Sequence, residues 1–307
     1  MNSQRFGVVV AILVGVSIAG QSRLNGALGA RLDDGVAAAV ISFGSGFVLL
    51  CIGLAFSKRM QNRLAEVRTA VRTKTLAPWQ CIGGVCGAFY VACQGITIST
   101  IGVAVFTVAV VGGQLLSSLL VDRAGLGPAE SSPLTGNRVL GAALALIAVA
   151  VASSGRIDAD ASALLFAVLP AIAGIGLAWQ QAVNGRVAAV GGPMVATWIN
   201  FATGTTALVI VAAIGLTVRG WPSTPPTDWW LYVGGTLGIA HIAAAAVLVR
   251  TLGVLLLGLS VIAGQLLGAL LLDAIVPASG ATLTVTVVVG GVLTLVAVWI
   301  AAGRSKT

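Results

Sequence analysis

Ten apolar runs constrain this chain more than any other feature of its sequence. Runs of about 17–25 residues match the thickness that a helix must cross in a bilayer, and these runs lack the alternation of barrel strands. Only 8% of the residues are charged, too few to cover a water-facing surface. We therefore predict an all-α integral membrane protein with ten transmembrane helices, within residues 5–31, 35–56, 79–97, 101–121, 138–154, 161–187, 193–217, 229–250, 253–272 and 284–302.

The positive charges predict how the chain is oriented. Short loops rich in Lys and Arg stay in the cytoplasm. Six of the 17 basic residues lie between the second and third runs, at Lys58, Arg59, Arg63, Arg68, Arg72 and Lys74. Placing this loop in the cytoplasm also places both termini there, with 13 basic residues inside and 4 outside. The net charge of +8 therefore indicates membrane orientation, and no nucleic-acid partner is expected.

The two halves of the chain repeat one another. Residues 113–122 read GQLLSSLLVD and residues 264–273 read GQLLGALLLD, with seven identities at an offset of 151. Upstream, the phrase Q-x3-N-G begins at Gln21 and at Gln180. We predict one five-helix repeat over residues 1–156 and a second over 157–307, together one transport domain. Because five is odd, the two repeats must enter the membrane from opposite sides, as inverted repeats do.

Three phrases that occur in both halves resemble a known family. They are Q-x3-N-G, I-x-F with a glycine three positions later (Ile41 to Phe43, and Ile199 to Phe201), and GQLL-x2-LL-x-D. They are similar to the YdcZ-type family of inner-membrane exporters in the drug/metabolite transporter (DMT) superfamily, in a form with two fused units. The resemblance implies a multi-pass transporter of the bacterial cytoplasmic (inner) membrane. Small multidrug exporters of that superfamily carry a glutamate within their first helix, and this first helix has none.

Polar residues within the runs are the candidates for a substrate site at the repeat interface. Gln21 and Asn25 share one helical stripe, and Gln180 and Asn184 share the matching one. Mid-membrane depth for Gln21 and Gln180 requires their helices to continue past the Asn-Gly steps; helices that end there would leave both at the interface. We favour the longer helices, because residues 27–32 and 186–190 contain no helix breaker except Gly29. The full candidate set is Gln21, Asn25, Gln180, Asn184, Gln114, Gln265, Tyr90, Gln94, Asn200 and Trp179. Hydrogen bonds that merely join helices are the alternative role for the amides.

Two features of these runs differ between the halves. Tyr90 aligns with His241, the only histidine, which is the candidate for proton coupling because imidazole titrates near neutral pH. A neutral histidine bonded to a helix neighbour is the alternative. Gln94 and Thr97, which share a helical stripe with Tyr90, align with the apolar residues Ala245 and Leu248, and a cavity that is polar on one half only suits an asymmetric solute. Asp122 and Asp273, which close the repeated phrase, are predicted to mark or lock helix ends at the water boundary.

The predicted function is secondary transport, most simply export, of a small neutral or zwitterionic metabolite or drug-like solute by alternating access. No carboxylate lies within a run, and the sequence has no phosphate loop, metal-ligand cluster or nucleophile–base pair, so we expect no enzyme, cofactor or metal site. A passive uniporter and a non-transporting scaffold or partner subunit are the alternatives. The expected partners are the solute and the bilayer; one chain suffices as a pseudo-dimer, and a homodimer is left open.

Overall fold

The computed structural model describes residues 3–126, 135–157, 161–220, 222–276 and 283–302. These residues form α-helices and two short 3-10 helices, Pro78–Cys81 and Trp229–Tyr232, and contain no β-strand. The all-helical prediction is confirmed at this level. The α-helices are α1 (Ser3–Leu32), α2 (Gly35–Phe56), α3 (Lys58–Arg72), α4 (Gly84–Arg123), α5 (Gly136–Ile157), α6 (Ala161–Arg219), α7 (Gly234–Ile275) and α8 (Val285–Ala302).

Three of these helices each contain two of the apolar runs. α4 bends at Gly102 (φ 78°, ψ 166°) and α6 bends at Gly192 (φ 77°, ψ 166°), in a backbone region that is essentially restricted to glycine. α7 has 42 residues, a length of about 63 Å or twice the hydrocarbon thickness. Among the described residues, four stretches are long and apolar enough to cross a membrane: Arg5–Leu32, Gly35–Phe56, Pro78–Val121 and Val168–Val218.

Local sequence explains where the early helices begin. Asp33 adopts φ 52° at the turn after α1, and the Asp34 carboxylate accepts hydrogen bonds from the amides of Val36 (2.8 Å) and Ala37 (3.0 Å), which starts α2. Ser57 caps α3 in the same way through the amide of Met60 at 3.2 Å. α3 occupies the basic segment that was predicted to be a loop between the second and third apolar runs.

Glycines make two matching close contacts between helices of opposite halves. Gly15 of α1 packs on the backbone of Val261 and Gln265 in α7, and Gly174 of α6 packs on the backbone of Val110 and Gln114 in α4. These two contacts involve matching residues of the repeat. Lipid gives helices little hydrophobic reason to associate, so small residues that allow backbone approach are what hold such pairs together.

A central aromatic pair joins the second helices of the two halves. The rings of Phe43 and Phe201, which belong to the repeated I-x-F phrase, stack with centroids 4.9 Å apart. A Cβ on Gly46 would lie within contact of Phe201, and one on Gly204 would lie 2.5 Å from Phe43. The Phe201 ring therefore fills the space beside Gly46, three residues after Phe43. The Phe43 ring likewise fills the space beside Gly204, three residues after Phe201.

Candidate substrate site

The first half of α4 presents one polar or small face that connects most of the predicted site. The face begins at Gly83, the residue just before the helix, and continues through Gly87, Tyr90, Gln94 and Thr97 at intervals of three or four residues, so these positions lie on one side. This α4 face is about 21 Å long at 1.5 Å per residue. Side chains from α6 contact its beginning, and side chains from α1 contact its deeper end.

At the deeper end, α1 and α4 share a buried hydrogen-bonded chain. Asn25 Nδ2 donates to Gln94 Oε1 at 2.6 Å, and Gln94 Nε2 donates to the hydroxyl of Ser22 at 2.8 Å. The Ser22 hydroxyl donates in turn to the carbonyl of Ile18 at 3.0 Å. The side chains of Ser22, Asn25 and Gln94 are fully buried, yet the Oδ1 atom of Asn25 has no hydrogen-bond partner. We call Ser22, Asn25 and Gln94 the α1 cluster.

Tyr90 extends the α1 cluster toward α7. Its hydroxyl interacts with the side chains of Ser22, Gln94 and Gln265. Its ring lies 5.5 Å from that of Phe106, in the second half of α4. The structure thus brings four predicted residues (Asn25, Tyr90, Gln94 and Gln265) into one polar group built from three helices.

A second group of amides lies at the beginning of the α4 face. Gln180 Nε2 and Asn184 Nδ2 both donate to Asn200 Oδ1, at 2.8 Å and 2.9 Å. These three residues, the α6 cluster, belong to one helix but lie on opposite sides of the bend at Gly192. The Oε1 atom of Gln180 is buried without a partner. The predicted residues therefore form two clusters rather than one.

Glycines from the other half of the chain cover each cluster, and on the α1 side they also cover Gln21, which precedes Ser22. A Cβ on Gly234 would lie 2.5 Å from Asn25 Oδ1, and one on Gly238 would lie 3.1 Å from Gln21 Nε2. The matching contacts lie in the other half: a Cβ on Gly83 would lie 2.8 Å from Asn184 Oδ1, and a Cβ on Gly87 would lie 2.8 Å from Gln180 Nε2. We call Gly234 with Gly238, and Gly83 with Gly87, the two glycine covers.

Both stripe helices are long. α1 continues past the Asn25-Gly26 step to Leu32, and α6 continues past Asn184-Gly185 to the bend at Gly192, so the longer of the two predicted alternatives is correct. Gln21 lies eleven residues before the end of α1. Gln21 contacts Gly238, which lies about 6 Å along α7 from its first residue. The remaining residues of α1 therefore extend beyond the start of α7.

Asp273 has a different environment from the predicted water boundary. Its side chain is buried, and its carboxylate accepts hydrogen bonds from the amides of Val103 (3.1 Å) and Ala104 (2.8 Å). These amides open the helical segment that follows the bend at Gly102, where the helix dipole favours a negative charge. Asp273 was predicted to stabilise the end of its own helix. In the structure it instead caps the start of a helical segment of α4. The side chain of Asp122 lies outside the described residues.

The remaining candidates are not members of either hydrogen-bonded cluster. His241 Nδ1 is buried and has no hydrogen-bond partner, although the backbone of Leu237 lies close by. Gln114 is half-buried, and its backbone packs on Gly174. Trp179 stacks on Trp79 with ring centroids 6.2 Å apart, which favours packing over solute contact for this residue.

Sequence reasoning missed two serines of the site. Ser22 lies next to the selected stripe and holds the end of the α1 cluster. Ser42 has a buried, unpartnered hydroxyl 3.0 Å from the Cβ position of Gly234, beside Asn25 Oδ1. Its alignment with Asn200 in the I-x-F phrase was the signal that could have identified it.

Comparison with known proteins agrees with this two-part construction. The family model described as "Putative inner membrane exporter, YdcZ" matches residues 6–151 and again residues 165–300. No curated protein matches the chain. The two matches cover most of the sequence and correspond to the two halves that supply the two clusters. The chain belongs to the YdcZ family of inner-membrane exporters, in a form with two family units in one chain.

Proposed function

We propose that this protein is an alternating-access secondary transporter that exports a small neutral or zwitterionic solute. The observation that carries the proposal is the matched pair of glycine covers: each half supplies glycines that close the amide cluster of the other half. A polar path along the α4 face connects the two clusters. Packing alone does not account for this arrangement, because a buried amide oxygen without a hydrogen-bond partner is costly, and Asn25 Oδ1 and Gln180 Oε1 are both left without one.

The proposal includes ten crossings in two inverted five-helix repeats. α4, α6 and α7 then cross twice each, with turns at Gly102 and Gly192 in the first two. The basic helix α3 and both termini lie in the cytoplasm, following the bias of positive charge. In this orientation the α1 cluster faces the outer side and the α6 cluster faces the cytoplasm. The repeat-matched contacts Gly15–Gln265 and Gly174–Gln114 support a two-fold relationship between the halves.

Transport proceeds by separating one glycine cover at a time. Withdrawal of Gly83 and Gly87 from the α6 cluster admits a solute from the cytoplasm, and withdrawal of Gly234 and Gly238 from the α1 cluster releases it outside. Glycine suits these contacts because its Cα fits closely against an amide when shut and leaves no side chain in the path when open. Both covers are closed in the described conformation, which corresponds to an occluded state in this mechanism.

The atoms left without partners favour a solute that carries hydrogen-bond donors. Asn25 Oδ1 and Gln180 Oε1 are acceptors, are buried, and are unpartnered. A bound hydroxyl, amide N–H or ammonium group would satisfy them once the glycines withdraw, and an unmade buried hydrogen bond is costly. No carboxylate lies within the apolar runs, and the buried carboxylate of Asp273, just beyond one of them, already accepts hydrogen bonds from Val103 and Ala104; both observations argue against an obligatory cation. His241 is the candidate for proton coupling.

The decisive experiment measures solute binding and transport in amide variants. A thermal-shift screen of the purified protein identifies a stabilising solute, because ligand that binds the folded state raises its stability. Gln21→Ala and Gln180→Ala should abolish solute-dependent stabilisation and vesicle transport while leaving the amount of folded protein unchanged. Gln181→Ala is the matched control, since Gln181 adjoins Gln180 but is exposed.

The alternatives give different results in the same experiment. A passive uniporter would bind and move the solute without any response to a proton gradient. A scaffold or partner subunit would show no solute-dependent shift, and Gln21→Ala and Gln180→Ala would lower the amount of folded protein instead. Either result would reject coupled export, and the second would also reject transport.

A further inference from the structure

Helix α3 begins where the lipid-facing surface of α2 ends. Only Ser57 separates the two helices, and the last turns of α2 expose Ile52 and Phe56, the latter with 88% of its surface accessible. Exposed apolar side chains of this size on a membrane helix face lipid tails. α3 must therefore lie beside the level at which tails give way to headgroups.

The apolar side of α3 is already occupied by protein. Met60, Leu64 and Val67 are buried in a cluster with Val187 and Val195 of α6. Amphipathic helices that bind membranes through an apolar face must leave that face free. α3 cannot do so in this arrangement, and any attachment to a membrane surface must come from its charges.

Those charges flank the buried side. Arg59 and Arg63 lie four residues apart along one edge, and Arg68 and Arg72 lie four apart along the other, as expected from the 100° step of the helix. All four are exposed, as are Lys58 and Lys74. Residues 58–74 carry six basic residues and one acidic residue, a net charge of +5. That acidic residue, Glu66, pairs with Arg63 at 2.8 Å.

We infer that α3 binds the headgroups of anionic phospholipids in the adjacent leaflet. Clusters of four to eight basic residues immediately beside a transmembrane helix attract anionic lipid, roughly fivefold in affinity for each charge. The exposed apolar surface of α2 lies next to these basic residues and favours a diacyl lipid over a soluble anion. The lipid tails can contact α2 while the headgroup contacts α3. The inference does not depend on the transported solute.

Lipid held by α3 also bears on the bend in α6. A Cβ on Gly191, next to the bend at Gly192, would lie 2.5 Å from Val67 of α3. α3 thus packs directly against the bend. Holding α3 at the membrane surface should restrict the relative movement of the two segments of α6 on either side of Gly192. Anionic lipid should therefore reduce hydrogen exchange around residues 187–196.

The test compares phosphatidylglycerol with phosphatidylcholine on the intact protein by native mass spectrometry. Wild type should retain phosphatidylglycerol preferentially. Replacing Arg59, Arg63, Arg68 and Arg72 by Gln should reduce that preference by about a hundredfold or more, whereas replacing the same four residues by Lys should preserve it. Exchange around 187–196 should fall with phosphatidylglycerol in wild type and in the Lys variant only.

Three results would overturn the inference. Equal preference in wild type and the Gln variant would place the lipid elsewhere. Displacement of bound lipid by glycerol 3-phosphate at equal concentration would identify a soluble-anion site, and tighter binding of an acidic peptide than of phosphatidylglycerol would identify a protein-docking surface. If the fourfold Gln variant does not fold, Arg68→Gln with Arg72→Gln, away from the Glu66 pair, gives the same comparison.

Discussion

Asn25 donates a hydrogen bond to Gln94 across 69 residues of sequence, with 2.6 Å between Nδ2 and Oε1 and no solvent contact for either side chain. The bond joins α1 to α4 at the deeper end of the α4 face. Because Asn25 Oδ1 also contacts the cover glycine Gly234, one side chain connects the polar path to the cover formed by Gly234 and Gly238. The α6 cluster has the matching contact, between Asn184 and Gly83.

A double-mutant cycle should detect this bond. Asn25→Leu and Gln94→Leu should each destabilise the protein, because each leaves a buried amide without its partner. We expect a coupling free energy of about 0.6–2 kcal/mol, the range for hydrogen bonds between membrane helices. Thermal unfolding in detergent provides the measurement. Strict additivity of the two effects would show that the amides do not interact.

Asp273→Ala should loosen the start of the second segment of α4. Loss of a charged cap exposes the amides of Val103 and Ala104, and we expect a destabilisation of about 1–3 kcal/mol. Asp273→Asn, which keeps one side-chain oxygen, should lose less. Hydrogen exchange at Val103 and Ala104 should rise, while the Val36 amide, which Asp34 caps independently, serves as the control. Unchanged exchange at Ala104 would contradict the cap.

Gly234→Ala should disturb the contact between α7 and α1. The new Cβ would lie 2.5 Å from Asn25 Oδ1, a distance that real Cβ contacts essentially never show, so either the Asn25 side chain must leave its position beside Gln94 or α7 must move away. We expect lower thermal stability and greater labelling of a cysteine introduced at Gln21. Gly20→Ala is the control, because nothing lies within 4 Å of its Cβ position and alanine favours a helix. Similar labelling in both variants would argue against a closed cover at Gly234 and Gly238.

Arg186→Gln should weaken the end of α4. The Arg186 guanidinium donates to the carbonyls of Leu126 (2.7 Å) and Gly125 (2.6 Å), which follow the last turn of that helix. Hydrogen bonds from a charged donor contribute about 1.5–3 kcal/mol, so a loss in that range is expected from thermal unfolding. Arg186→Lys should recover only part of it, since a lysine cannot reproduce the fork. Full recovery would show that charge alone matters.

His241→Gln tests proton coupling. Imidazole is the side chain whose charge changes near neutral pH, and Nδ1 of His241 is buried without a partner. If His241 couples the proton, solute-driven stabilisation will differ between about pH 6 and about pH 8 in wild type, and the difference will vanish in His241→Gln. A difference that persists in the variant would assign the coupling to another group, and equal stabilisation in wild type would favour the uniporter.

Sequence patterns were sufficient for the features that depend on local composition and on repetition. Apolar length predicted the all-helical architecture, and the repeated phrases predicted the family that the matches over residues 6–151 and 165–300 establish. The continuation of α1 to Leu32 also followed from the scarcity of helix breakers after Asn25. The amphipathic helix α3 could have been predicted from the spacing of Met60, Leu64 and Val67, but the charge of the segment obscured it.

Only the tertiary structure decided which residues meet. No periodicity encodes that Gly234 covers Asn25, that Asp273 caps the amides of Val103 and Ala104, or that the predicted site divides into two clusters. Helical spacing fixes which side chains share a face, because that depends on a rotation of 100° per residue. Which helix that face contacts depends on backbone approach between segments many residues apart, which small residues permit but do not specify.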